Sequence, residues 1–248
     1  MLAEIRNVSK TYESDGNRML ALDNVSFAVE DNDFICIVGP SGCGKSTLLR
    51  VIVGLEKPTS GQVIFEGELI SPDNPRVAMV FQNFALFPWL TVKENIELVL
   101  ESSKRIDNEL EKIACKYIKA VGLDGFENVY PRELSGGMKQ RVGFARALAV
   151  EPVLLCMDEP FSSLDALTSQ NLKDELLMLW ADKSMPPDAV IMVTHNVEEA
   201  VYMANRIIVL SSRPGKVIAD LKIELERPRN RKDPEFYQWV DKVYSLIV

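Results

Sequence analysis

Five consecutive apolar residues, Phe34-Ile35-Cys36-Ile37-Val38, run directly into Gly39-Pro40-Ser41-Gly42-Cys43-Gly44-Lys45-Ser46-Thr47. An apolar run without alternation is the pattern of a strand buried on both faces, as in a parallel sheet covered by helices. Leu48, Leu49 and Ile52 follow at helical spacing, so the glycine-rich stretch is a strand-to-helix turn. Few folds place such a turn after a doubly buried strand. Further runs of the same kind lie at 77–81, 153–157, 189–194 and 207–210, with helical stretches between them. That rhythm predicts an α/β core with a mainly parallel sheet.

Two regions depart from it. Before residue 38, apolar and polar positions alternate through Leu2, Ile5, Val8, Leu20, Leu22, Val25, Phe27 and Val29. This period predicts half-exposed antiparallel strands, interrupted by the turn residues Ser14-Asp15-Gly16-Asn17. From about 83 to 135, Leu110, Ile113, Tyr117, Ile118 and Val121 recur at helical spacing among charged residues, predicting a mainly helical lobe inserted into the core. Residues 214–248 form a short extension with a strand-like 216–225 and a short helix after Pro234, too small for a second domain. The whole chain of 248 residues therefore reads as one domain, with an α/β core over 1–82 and 136–248 and the lobe over 83–135.

The charge balance of 28 Lys+Arg against 36 Asp+Glu gives −8, which argues against nucleic acid and against charge-driven docking on anionic lipid. An acidic protein that binds a polyanion must build a local site from N–H groups and a few cations. Gly39-x-x-x-x-Gly44-Lys45-Ser46-Thr47 is such a site, a P-loop in the strand–turn–helix context that makes the motif credible. Its glycines let the backbone of Gly39, Pro40, Ser41, Gly42, Cys43 and Gly44 curl so that successive N–H groups, from every one of these but the proline, surround phosphates. Lys45 is placed for the β- and γ-phosphates, Ser46 for Mg²⁺ and Thr47 for a further phosphate contact. The loop alone does not separate the classes of nucleotide hydrolase and kinase.

Val153-Leu154-Leu155-Cys156-Met157 delivers Asp158 and Glu159 to a strand end, and Leu134-Ser135-Gly136-Gly137-Met138-Lys139-Gln140-Arg141 offers unpaired N–H groups ahead of a helix. Phosphoryl transfer needs one carboxylate for the metal and one for the attacking water, although two acids ending a strand also suit a solvated turn. The lone histidine, His195, follows the apolar run at 190–194; by itself such a residue is more often structural. The four cysteines, Cys36, Cys43, Cys115 and Cys156, lack metal-ligand spacing and fit a reducing compartment.

Taken together, the P-loop, the Ser-Gly-Gly segment and the Asp-Glu strand resemble the nucleotide-binding subunit of ABC transporters, and the resemblance covers essentially the whole chain. It implies an ATP hydrolase using ATP and Mg²⁺. Asp158 would hold the metal through water, Glu159 act as general base, and His195 serve as the switch histidine on the γ-phosphate. Gln82 would be the glutamine that touches metal or water and senses the lobe, and Tyr12 the aromatic stacked on adenine. Ser135, Gly136, Gly137 and Met138 (often glutamine in the family), with Asp165 of Ser163-Leu164-Asp165, would complete the site of a second copy, making ATP a bridge between protomers.

The string Asn83-Phe84-Ala85-Leu86-Phe87-Pro88-Trp89-Leu90-Thr91-Val92 looks like importer ATPases of the nitrate, sulfonate and taurine group, and Ser212-Arg213-Pro214-Gly215-Lys216 points the same way. Phe87 and Trp89 read either as core aromatics or as the rim of a groove for a helix of the membrane subunit. The implied assembly has two copies of this chain beneath two membrane permease subunits, served indirectly by a substrate-binding protein. The chain would then lie at the cytoplasmic face of the membrane. An exporter or lipid-transport ATPase and a soluble iron–sulfur assembly ATPase are the alternatives.

Overall fold

The computed structural model describes residues 1–14, 17–101, 107–182 and 186–247; the expected turn at Asp15 and Gly16 lies outside them. Contacts divide the chain into two units, Met1–Asn74 with Ala189–Val248, and Pro75–Asp188.

In the first unit, β1 (Ala3–Ser14) pairs antiparallel with β2 (Asn17–Val29) and with β4 (Ser60–Phe65), and β5 (Glu68–Leu69) continues the sheet in the order β2-β1-β4-β5. Burial in β2 alternates as the sequence period demands, with Val25, Phe27 and Val29 inward. The sequence reading singles out no strand at β4, because only Val63 and Phe65 of its six residues are buried. The same unit holds β3 (Phe34–Val38), flanked in parallel by β8 (Ala189–Val193) and β9 (Arg206–Leu210), with β10 (Val217–Lys222) antiparallel on β9. Every residue of β3 and β8 is buried, which is why their sequences show no alternation. Helices α1 (Lys45–Ile52), α6 (Val197–Met203) and α7 (Pro234–Ile247) belong to this unit.

In the second unit, β6 (Val77–Val80) pairs in parallel with β7 (Leu154–Asp158). Helices α2 (Val92–Glu101), α3 (Asp107–Ala120) and α4 (Gly136–Ala149) pack against one another, and α5 (Ala166–Ala181) follows β7. Their shared core contains Ile96, Leu100, Tyr117, Ile118, Val142 and Ala145, all fully buried. The expected helical stretch 83–135 lies inside this unit, where the signature helix α4 supplies a third face to α2 and α3. Among the described residues, no helix is long and apolar enough to cross a membrane.

Candidate nucleotide site

The phosphate loop leaves β3 and ends where α1 begins at Lys45. Gly44 sits at φ 105°, and a Cβ there would lie 2.9 Å from the Ala21 carbonyl oxygen, so both conformation and space require glycine. Lys45 is buried, its Nζ donating to Gly39 O at 2.8 Å and Pro40 O at 3.0 Å. The ammonium is thus held over the loop by the loop's own carbonyls, a pose that bound phosphate oxygens can take over. Burial raises the Cys43 thiol, which fits a backbone contribution rather than a nucleophile.

The 211–216 loop packs against this turn. Gly215 donates to Ala21 O at 2.9 Å, and a Cβ on it would meet Cys43 O at 2.2 Å. Arg213 Nε donates to Gly42 O at 3.0 Å. The Ser-Arg-Pro-Gly-Lys string is therefore a support for the phosphate loop.

Tyr12, expected on adenine, has its hydroxyl against Glu56 Oε2 at 2.6 Å and Thr47 Oγ1 at 3.2 Å, with Lys10 Nζ 5.1 Å from the ring centroid. Burial, followed by the Glu56 carboxylate, raises the phenol's pKa. These bonds fix the aromatic ring at the start of α1.

His195 comes two residues after β8, the parallel neighbour of β3. Thr194 donates to Ile37 O at 3.3 Å, so the histidine and the phosphate loop leave the sheet at the same edge. The unit thus brings Lys45, Ser46, Thr47, Tyr12 and His195 to one end, the carboxyl end of the parallel strands, where open α/β sheets bind their ligands.

In the second unit, Asp158 closes β7 and is 5% exposed. Glu159 follows at φ 45°, a left-handed conformation that costs a residue with a Cβ and is typical of over-determined functional turns. Ser162 holds the turn: its N–H and Oγ both donate to Glu159 O, at 3.2 and 3.0 Å. Gln82 Nε2 donates to Ser162 Oγ at 3.3 Å. Because β6 and β7 are parallel, Gln82, Asp158 and Glu159 emerge together, joined through a serine that the sequence reading did not single out.

Ser135 caps α4, its Oγ accepting from Met138 N at 3.2 Å, and Ser135 and Gly136 are exposed. A Cβ on Gly137 would lie 2.4 Å from Thr168 Cγ2, so this glycine permits close approach to α5. Asp165 caps α5, accepting from Leu167 N and Thr168 N, and these bonds hold its carboxyl below the usual range.

Trp89 is 69% and Phe87 36% exposed, with ring centroids 5.6 Å apart. Trp89 is therefore a surface residue, not a core one. Two polar residues absent from the sequence reading organise this stretch. Asn95, fully buried, accepts from Phe87 N and donates to the carbonyls of Phe87, Leu90 and Thr91. Arg146 of α4 donates to Phe84 O at 2.9 Å and Ala85 O at 2.6 Å, and both those residues are left-handed. The available signal was local: Thr91-Val92-Lys93-Glu94 is a capping box, and its reciprocal bonds are present at 2.7 and 3.3 Å.

The ABC transporter family model matches residues 22–162, and the chain belongs to that family. It is 42% identical over 256 residues to the nitrate import ATP-binding protein NrtD of Synechocystis, spanning 100% of this chain and 95% of that one. An aliphatic sulfonates import ATP-binding protein, SsuB of Bacillus anthracis, is 41% identical over 243 residues, covering 98% and 94%. Among solved structures, a dimeric post-hydrolysis ATP-binding cassette bound to ADP and Pi superposes with TM-score 0.80 at 33% identity, covering 91% of this chain and 100% of that one. As a family member this is a transport ATPase, with ATP and Mg²⁺ as its cofactors. Mg²⁺ is a hard cation that takes oxygen ligands, most of them phosphates and water; the first unit offers the hydroxyl of Ser46 and the second the carboxylate of Asp158.

Proposed function

We propose that this chain is the ATP-hydrolysing subunit of an ABC importer for small solutes of the nitrate or sulfonate kind. The observation that carries the reading is near full-length identity of 41–42% to import ATP-binding proteins for those solutes. In this reading Lys45 and the loop N–H groups bind the phosphates, and Tyr12 bears on the adenine. Ser46 and Gln82, with Asp158 through water, would hold Mg²⁺, which would neutralise charge on the phosphates.

Glu159 takes the proton of the attacking water, and His195 donates a hydrogen bond toward the γ-phosphate. Gln82 passes lobe movement to the reacting end. Ser135, Gly136, Gly137, Met138 and Asp165 act on the nucleotide of a second copy, so closure of a dimer assembles two sites and hydrolysis releases them. Phe87 and Trp89 receive a helix of the membrane permease, and the chain, with its lobe at 83–135, acts as a single ABC ATPase domain. The solute itself meets only the permease and a substrate-binding protein.

The test is transport by the chain reconstituted with its permease subunits in proteoliposomes. Binding-protein-dependent, ATP-driven uptake of nitrate or an alkanesulfonate is expected. ATP-driven movement in the opposite direction would overturn the importer reading.

A further inference from the structure

Helix α6 has seven residues and begins immediately after the His195-Asn196 pair. The last carbonyls of any helix lack intrahelical partners. Here they are claimed by arginines of the C-terminal extension. Arg229 Nη1 donates to Val201 O at 2.6 Å, Ala204 O at 2.5 Å and Tyr202 O at 3.4 Å. Arg227 Nη2 donates to Met203 O.

Arg229 also donates to Leu225 O, through Nε at 3.2 Å and Nη2 at 3.1 Å, folding the extension back on itself. Its side chain is buried, and burial pushes the guanidinium down to about 10, still charged at neutral pH. Arg229 thus meets three carbonyls at the negative end of the helix through Nη1 while its Nε and Nη2 hold Leu225 O, and Arg227 meets a fourth, a strong and directional cap.

The other end of α6 is tied with equal care. Thr194 Oγ1 donates to the buried Glu199 Oε2 at 2.5 Å and accepts from Asn196 N at 3.0 Å, while Asn196 Oδ1 accepts from Glu199 N at 3.1 Å. His195 stands between the two residues of that knot. Its backbone can shift only if α6 shifts, and α6 is clamped from the far end by Arg229 and Arg227.

We infer that Arg229, seconded by Arg227, is a positioning residue for His195: the C-terminal extension sets α6, and with it the 194–196 segment, in the pose from which the histidine meets the γ-phosphate. The inference rests on the role given to His195 above. It makes the extension part of the hydrolytic machinery through α6.

A mutant cycle on the full-length chain tests it. Arg229→Lys keeps a point charge but cannot fork across several carbonyls. It should lower kcat about tenfold, leave KM and ATP affinity within about twofold, and speed amide exchange in α6 but not in α1. Because both residues act through one group, Arg229→Lys added to His195→Ala should cost no further turnover.

A wild-type kcat in Arg229→Lys beside a slowed His195→Ala overturns the clamp. So does a full additional loss in the double variant. Normal turnover in His195→Ala instead overturns the histidine's role itself, and is read independently of Arg229. Should Arg229→Lys fail to fold, Arg227→Gln removes a single carbonyl contact and enters the same cycle, with an expected kcat loss of about threefold.

Discussion

At the scale of residues, Lys45 and Glu159 show how differently two residues proposed for the same reaction are prepared. Lys45 is buried with its ammonium on Gly39 O and Pro40 O, so removing it leaves those carbonyls and the incoming phosphates without their cation. Lys45→Ala should weaken ATP binding by about 2 kcal/mol, roughly 30-fold in Kd, as read by isothermal titration. Glu159 is held by its backbone instead, at φ 45° with its carbonyl accepting from Ser162, so Glu159→Gln keeps the turn. It should retain ATP affinity, lose about a thousandfold in turnover, and accumulate an ATP-bound dimer by light scattering. Near-normal hydrolysis by the pure variant removes Glu159 from its assigned role. Lys45 stands out by the spacing of its motif, and Asp158 and Glu159 by the resemblance to the family. Ser162 and Arg146 were not, since a serine in a turn and an arginine in a helix carry no signal until their partners are known.

Among the elements, the entrance to α2 and the start of α5 are governed by single polar side chains. Asn95 satisfies one N–H and three carbonyls from a position with no solvent exposure. Asn95→Ala should therefore cost about 3 kcal/mol in urea unfolding, since it strands several buried backbone groups. A loss comparable to an ordinary surface substitution would contradict the buried network. Asp165 acts through its charge state: its carboxyl lies below the usual range because it accepts from Thr168 and Leu167. A depressed folded-state pKa contributes stability that is present above the unfolded value and is lost as pH falls through the folded one. Melting curves taken from neutral toward acid pH should show Asp165→Asn keeping the cap but losing this part of the pH dependence. Wild type and variant falling in parallel would show that the carboxylate contributes nothing at this helix start.

For the whole molecule, function depends on surfaces that a single chain cannot complete. Ser135 is exposed at the start of α4 and occupied locally only as its cap. Ser135→Arg should bind ATP normally yet fail to form the ATP-driven dimer. Mixing it with Lys45→Ala should restore part of the hydrolysis, because one of the two composite sites then carries neither defect. No recovery, with a normal dimer in Ser135→Arg, would contradict the shared site. Trp89 is the corresponding case on the proposed permease side, at 69% exposure with its ring tilted against Phe87. Truncating an aromatic anchor commonly costs ~2 kcal/mol of binding, so Trp89→Ala should reduce co-purification with the membrane subunits. Hydrolysis by the isolated chain should stay close to wild type.

The sequence by itself determined the parallel α/β core, the antiparallel N-terminal strands, the helical stretch and the glycine-rich turn between β3 and α1. Those features are written in periods and short spacings: strands buried on both faces admit no alternation, and a phosphate loop needs its glycines at set intervals. Tertiary structure alone decided which polar groups hold these motifs in place. Asn95 on the 87–91 carbonyls, Arg146 on Phe84 and Ala85, Gly215 against Cys43, and Arg229 on the end of α6 all act on backbone groups of other segments. A carbonyl looks the same in every residue, so the sequence carries no mark of which one an arginine 25 positions away will find.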